Sequence, residues 1–142
     1  MRILGIDFGD KSIGLAISDP LLMTAQALGC YRIMNLEEDL KFFKKLVSQH
    51  EIGEIVIGLP LRMNGSSGTR AEKTKEFASW LKRALDLPII LWDERLTTQQ
   101  AFKILRQQKV KGKTKKKIKD QVSAAIILSS YLENRPLKSH GS

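Results

Sequence analysis

The sequence predicts an α/β domain with one central, mixed five-stranded sheet and helices on both of its faces. Three observations carry this. Two alternating apolar runs near the start, "RILGIDF" and "SIGLAIS", are separated only by Gly9, Asp10 and Lys11, the spacing of a hairpin. Further on, short apolar runs alternate with helical repeats, as βα crossovers do. Near the end, "VSAAIILSSYL" is apolar on most faces and calls for a well-buried helix.

Each element follows in order. Leu4 to Phe8 and Ser12 to Ser18 are the first two strands, and Ala25 to Ile33 is a third. Gly29 and Cys30 place that third strand at an edge or a bulge. Asn35 is a helix N-cap with Glu38 three residues on as its return partner. Leu36, Leu40, Phe43, Leu46 and Val47 form the inward stripe of that helix, and His50 and Gly53 mark its end. "EIVIG", Glu54 to Gly58, has the continuous apolar character of a strand inside a parallel sheet. Pro60 to Gly68 is a loop. Thr69-Arg70-Ala71-Glu72 is a second capping box, opening a helix with Phe77, Ala78, Leu81 and Leu85 on one side. Pro88 to Trp92 is the last strand. Thr97-Thr98-Gln99-Gln100 caps a third helix with Ala101, Ile104 and Leu105 inward. Lys109 to Lys119 is a mobile basic loop with Thr114 as the cap of the final helix, which runs to about Glu133. One domain over residues 1–135 and a flexible tail over 136–142 result.

Three acids are oddly placed. Asp7 interrupts the first strand between Ile6 and Phe8, and a carboxylate buried there without a partner is costly. Glu94, in "WDERLTT", stands at the carboxyl end of the last strand. Asp120, in "KDQVSAAIIL", shares a helix face with Ala124, Ile127 and Tyr131. Alone, each has an ordinary explanation: an Asx turn, a local ion pair, a helix N-terminal charge. Sites in open α/β sheets form at the carboxyl ends of strands, however, and a central first strand puts Asp7 beside Glu94. Three converging carboxylates repel one another unless a cation lies between them. All-oxygen ligation suits Mg²⁺ or Mn²⁺. Asp7, Glu94 and Asp120 are therefore the candidate catalytic and metal-binding residues.

The net charge of +9 and pI of about 9.8 favour a polyanionic partner. "KVKGKTKKKIK" holds seven lysines in eleven residues and no aromatic residue, which suits backbone contact rather than base stacking. Lys113, Lys115, Lys116 and Lys117, with Lys11, Arg62, Arg70 and Arg95, are the candidate nucleic-acid contacts. "GLPLRMNGSSGTR" could cradle a phosphate at a helix N-terminus but lacks the GKS or GKT of a P-loop. The single cysteine, Cys30, excludes an internal disulfide and a cysteine zinc site. His50 and His140 lack a partner motif, and Trp80 and Trp92 read as packing residues. No stretch approaches the ~18 apolar residues of a membrane span or resembles a secretory signal, so no membrane partner and a cytoplasmic location are expected.

Four segments in order, "ILGIDFGDKSIGLAISD", "IVIGLPLRMNGSSGTRA", "LWDERLTTQQA" and "KDQVSAAIILSSYLE", resemble the YqgF/RuvX family of Holliday-junction-resolvase-like proteins. The resemblance implies a ribonuclease H-like fold and a metal-dependent endonuclease that matures the 5′ end of pre-16S rRNA in ribosome biogenesis. It also places the family's acidic positions on Asp7, Glu94 and Asp120. Structured RNA and a ribosomal precursor particle are the implied partners, with the chain a monomer or weak homodimer. Branched four-way DNA is the alternative substrate, and a non-catalytic RNA- or protein-binding factor the alternative role. "DFGDKSIGLAIS" also resembles the phosphate loop of actin-like ATPases, which need a second such domain for which this chain has no room. Two departures stand out: Asp10 occupies a position where the family usually has a small polar residue, and Ser123 one where related resolvases carry a fourth acid or histidine.

Overall fold

The structure, a computed structural model, describes residues 1–97 and 114–135, and of 114–120 the backbone alone. The elements are β1 (Arg2–Phe8), β2 (Ser12–Ser18), β3 (Ala25–Arg32), α1 (Leu36–His50), β4 (Ile52–Leu59), α2 (Thr69–Leu85), β5 (Ile89–Asp93), a 3₁₀ turn (Glu94–Leu96) and α3 (Thr114–Asn134). The sheet has five strands in the order β3-β2-β1-β4-β5. β1 pairs with β2 antiparallel and with β4 parallel, and β4 pairs with β5 parallel. This is the mixed sheet that the hairpin and the crossovers predict. β3 lies at the edge, and its register slips opposite Leu15 and Ala16, so that Leu28 is passed over between Gly29 and Ala27.

Strand alternation sorts the side chains into two layers. Leu4, Ile6, Ile55 and Ile57 face α1 and α2, where they meet Phe43, Leu46, Ala78 and Leu81. Ile3 and Val56 face α3, where they meet Ala124, Ile127, Leu128 and Tyr131. Asp7 has the parity of Ile3 and so belongs to the α3 face, while its neighbour Phe8 belongs to the other. Gly5 lets α3 come close: a Cβ there would lie 2.7 Å from Leu128 Cβ and 3.1 Å from the Ala124 carbonyl oxygen. Toward its C-terminus α3 is tied to the sheet by hydrogen bonds: the Tyr131 hydroxyl donates to Glu54 Oε2 at 2.9 Å, and Trp92 Nε1 donates to Ser130 Oγ at 3.0 Å. Burial, and then the Glu54 carboxylate, push the Tyr131 phenol up to about 12.

Several local expectations are corrected. Asn35 caps α1 as expected, its side chain accepting from the Glu38 N–H at 2.9 Å. The helix ends at His50, as expected, and its C-cap is Glu51, in the left-handed region at φ 54°, so Gly53 is not part of the stop. Leu36 does not face the core; it is 69% exposed at the start of the helix. The second capping box does not form. Gly68 is the N-cap of α2, with no side-chain cap, and Thr69 is already helical. Arg62 folds back over Gly68, where a Cβ would meet its Nε at 3.0 Å, so a side chain at the cap position would be crowded. The basic run is not all loop: Lys115, Lys116 and Lys117 lie on the helical backbone of α3, and Thr114 is its first residue. Lysine is a good helix former, and no proline or glycine lies between Gly112 and Pro136 to stop the helix. The helix expected after Thr97, together with Lys113 and the tail, lies outside the described residues.

The β2–β3 turn is built on one carboxylate. Asp19 accepts from the N–H groups of Met23 (2.7 Å), Thr24 (2.7 Å) and Leu21 (3.1 Å), and holds Leu22 at φ 60°. The Thr24 N–H foremost, then those of Met23 and Leu21, keep its carboxyl below the ordinary 3.8 against some desolvation. A depressed folded value stabilises the fold above the ordinary value, and the gain disappears as pH falls through the lower folded one. Asp19→Ala therefore lowers Tm at pH 7, and the gap to wild type closes below about pH 4. An equal gap at pH 7 and pH 2.5 in thermal melts would contradict this.

Candidate active site

Asp7, next to last in β1, lies opposite Gly14 of β2, and Phe8 lies opposite Ile13. Beyond the Ile6–Ile57 pair the next position of β4 is Gly58, which pairs with Trp92 of β5. Alternation puts Gly58 and Trp92 on the α3 face with Asp7. Asp93 then turns the chain. Its carboxylate caps the 3₁₀ turn by accepting from the Arg95 N–H at 3.0 Å. Thr97 closes the turn, its N–H and hydroxyl donating to the Glu94 carbonyl at 2.9 and 2.7 Å. The turn carries the Glu94 side chain back over Gly58, to within hydrogen-bonding reach of Asp7.

Two carboxyl groups in contact, in a half-buried position, set an electrostatic problem. Burial pushes the Glu94 carboxyl above its ordinary 4.5, and the Asp93 charge adds to the rise. The Arg70 guanidinium and the hydrogen bond with Asp7 pull it back. Arg70 also lines, with Lys11, Gly9, Asp10 and Ser12, a cavity of about 280 Å³ that opens at Asp7. Arg70 and Lys11 therefore bring positive charge to the mouth of the cavity. Asp10, the residue unusual for the family, lies at the outer rim, 3.7 Å from Lys73.

The room for Glu94 comes from Gly58. A Cβ there would collide with Ile127 Cδ1 and stand 2.7 Å from Glu94 Oε1. Gly58→Ala is expected to expel the Glu94 carboxylate and to cost about 1–3 kcal/mol in overpacking. Any activity that needs Glu94 should then fall far more than melting indicates. A variant with an unchanged turnover would show that the carboxylate does not need its place over Gly58.

The other expected contacts divide. Arg95 is engaged within the protein: its guanidinium meets the Asp93 carboxylate at 2.7–3.1 Å and donates from Nη1 to the Met63 carbonyl at 3.2 Å. It clasps the Pro60–Gly68 loop to the end of β5. Arg62 packs on Gly68, outside the cavity. The side chains of Asp120 and of Lys115, Lys116 and Lys117 lie outside the described residues. The backbone of position 120 is one turn, ~5.4 Å, before Ala124 on the buried face of α3. Since α3 runs from the Asp7 end of the sheet toward Glu54, that turn is at the Asp7 end. Among the described residues no three acidic, histidine or cysteine side chains gather into a metal-sized group; the pair is Asp7 and Glu94. No helix among them is long and apolar enough to cross a membrane. Sequence reasoning did not reveal Gly58 or the Asp93 cap. The cap had a signal, an aspartate directly before "ERL"; the glycine had none.

Comparison with known proteins shows the family and the fold. A family model described as "RuvX: Holliday junction resolvase" matches residues 1–134. A protein of Halothermothrix orenii named "Putative pre-16S rRNA nuclease" is 47% identical over 141 residues, covering 99% of this chain and all of that one. One of the same name from Clostridium acetobutylicum is 46% identical over 134 residues, covering 94% and 99%. Among solved structures, RuvC of T. thermophilus in complex with a Holliday junction superposes with a TM-score of 0.61 at 13% identity, covering 94% of this chain and 96% of that one. The fowlpox virus resolvase with junction DNA gives 0.57 at 14% identity, covering 94% and 97%. At such identities the two likenesses speak for the fold alone.

Proposed function

Because the chain belongs to the RuvX family, we propose that it is an endonuclease that hydrolyses phosphodiester bonds of pre-16S rRNA, using a divalent cation held by Asp7, Glu94 and Asp120. The observation that carries this is the contact between the Asp7 and Glu94 carboxyl groups at the carboxyl ends of β1 and β5, the two strands that flank β4. Their donor set fits a hard cation: two half-buried carboxylates, of which Asp7 lines the open cavity, with a third acid in the sequence of α3. Mg²⁺ or Mn²⁺ bound there would lower the pKa of the attacking water and stabilise the leaving oxygen.

The protein's own residues do the rest. Asp7 is held by the sheet and does not move with the loops. Glu94 is aimed by the Asp93-capped turn and by the space over Gly58. Arg70 and Lys11 receive the phosphate from the open side of the cavity, and the lysines at the start of α3 extend that contact along the backbone. Ser123 is half-buried on α3 and brings no carboxylate, so the site is short of one acid relative to related resolvases. A second ion would then bind only with the substrate's phosphate as ligand. The chain would act in the cytoplasm on a ribosomal precursor particle, as a monomer or weak homodimer.

The family description names Holliday junctions, so four-way DNA is the second substrate to try. The test is a cleavage assay on a 16S precursor fragment, a generic single-stranded RNA and a four-way DNA junction, with Mg²⁺, Mn²⁺ or EDTA. Metal-dependent cutting of the precursor is expected. Cutting of the junction alone would make the protein a resolvase. RNA binding that survives EDTA, with no cutting under either metal, would make it a binding factor.

A further inference from the structure

A groove of about 570 Å³ lies between α1 and α2, on the sheet face away from α3. Its floor and walls are apolar, with Phe8, Phe77 and Trp80 inside and Leu36 at the lip. Met34 and Leu36, beside each other at the entry to α1, are 67% and 69% exposed. Apolar side chains gathered at the surface in this way mark an interaction site.

The charge around the groove says what kind of partner fits. Of the four charged residues that line it, Asp10, Asp39 and Glu76 are acidic and only Lys73 is basic. The first turn of α1 adds Glu37 and Glu38, which Lys41 reaches only loosely, at 3.7 Å. Asp39 is committed, accepting from the Tyr31 hydroxyl at 2.6 Å and the Met34 N–H at 3.0 Å. Glu76 is exposed and has no ion-pair partner among the described residues. This negative rim stands on a chain of net charge +9. It repels a polyanion and favours a cation. A second copy meeting through the same surface would set acid against acid.

We propose that this groove docks a short basic segment of a partner protein, seated by one or two large apolar side chains. The apolar anchors fill the space between Leu36 and Trp80 while lysines or arginines meet Glu37, Glu38 and Glu76, a familiar way for a groove to read a peptide. The docked segment lies beside the mouth of the Asp7 cavity, because Phe8 and Asp10 line both. Nothing in this depends on whether the chain cleaves RNA.

Fluorescence anisotropy tests it, with a labelled peptide KRLKKFLKRK against its charge-reversed counterpart EDLEEFLEDE and the full chain as titrant. The basic peptide should bind and the acidic one should not. Leu36→Ser, and separately the combined Glu37→Lys, Glu38→Lys and Glu76→Lys, should each weaken binding about tenfold or more, circular dichroism remaining native. Asp7→Asn should leave binding unchanged. Equal binding of both peptides, affinity lost with Asp7→Asn rather than with the groove variants, or a dimer that Leu36→Ser dissociates and the peptide does not, would each overturn the proposal.

Discussion

Asp7→Asn is expected to leave a folded protein that no longer cuts. The amide keeps the shape of the carboxyl group and stays within the sheet, whose pairing on both sides of β1 uses only the backbone. What disappears is one negative charge at the point where two acids touch. A cation held there loses a ligand oxygen, and cleavage should fall at least about 10³-fold, or ~4 kcal/mol of transition-state stabilisation. Stability should not fall with it, because the amide can donate to Glu94 in place of the hydrogen bond that Asp7 makes. A second measurement separates this from damage. Mn²⁺ at about a hundredfold its Kd adds ~2.7 kcal/mol of stability to a protein that binds it only when folded. Wild type should show that rise in Tm and Asp7→Asn should not. Full cleavage by the variant, or an equal Mn²⁺ shift in both proteins, would remove Asp7 from the site.

Gly5→Val should have the largest effect on the fold. Gly5 lies under α3, and even a single added carbon meets Leu128 and the Ala124 carbonyl. The obstacle is a helix backbone, which cannot swing aside as a flexible side chain would. The helix must lift, and with it goes the layer of Ile3, Ala16, Val56 and Leu128, each at or near zero exposure. A loss of about 3 kcal/mol is expected, or roughly 10 °C in Tm for a domain of this size. Cleavage should also fall below the melting temperature, because the turn bearing position 120 moves with α3. Gly29→Ala is the control: nothing lies within 4 Å of a Cβ there, and Tm should hold or rise slightly. Equal melting of Gly5→Val and wild type would mean that α3 does not sit as closely as described.

Much of the fold was legible because its signals are local. The hairpin at Gly9, the Asn35 cap, the buried β4 and the edge position of β3 each follow from a few adjacent residues. The failures came where a distant segment decides. Thr69 fits a cap by its own sequence, but the helix begins one residue earlier, with Gly68 at the cap and Arg62 packed over it. Gly53 looked like a helix stop, yet it is the residue passed over where β1 meets β4 in register, after Glu51 has already ended α1. Leu36 fits the helical stripe and still lies outside it, because its side chain precedes the turn that reaches the sheet. In the site, Asp7 and Glu94 were readable as acids in apolar company, and they do meet. The engagement of Arg95 was not readable: "DERL" shows its bond to Asp93, but the loop carbonyl it also holds is 32 positions away.

That carbonyl bears on how the loop can vary among related sequences. Arg95 grips Met63 through the main chain, and the Met63 side chain, 93% exposed, takes no part. Every amino acid offers the same oxygen. Drift at position 63 is therefore free, while Asp93 and Arg95 are tied to each other. Exchange of Met63 for almost any residue should pass unnoticed, whereas a one-residue deletion in the loop would move the carbonyl out of the arginine's reach. The length of this segment, rather than its composition, is what selection would see.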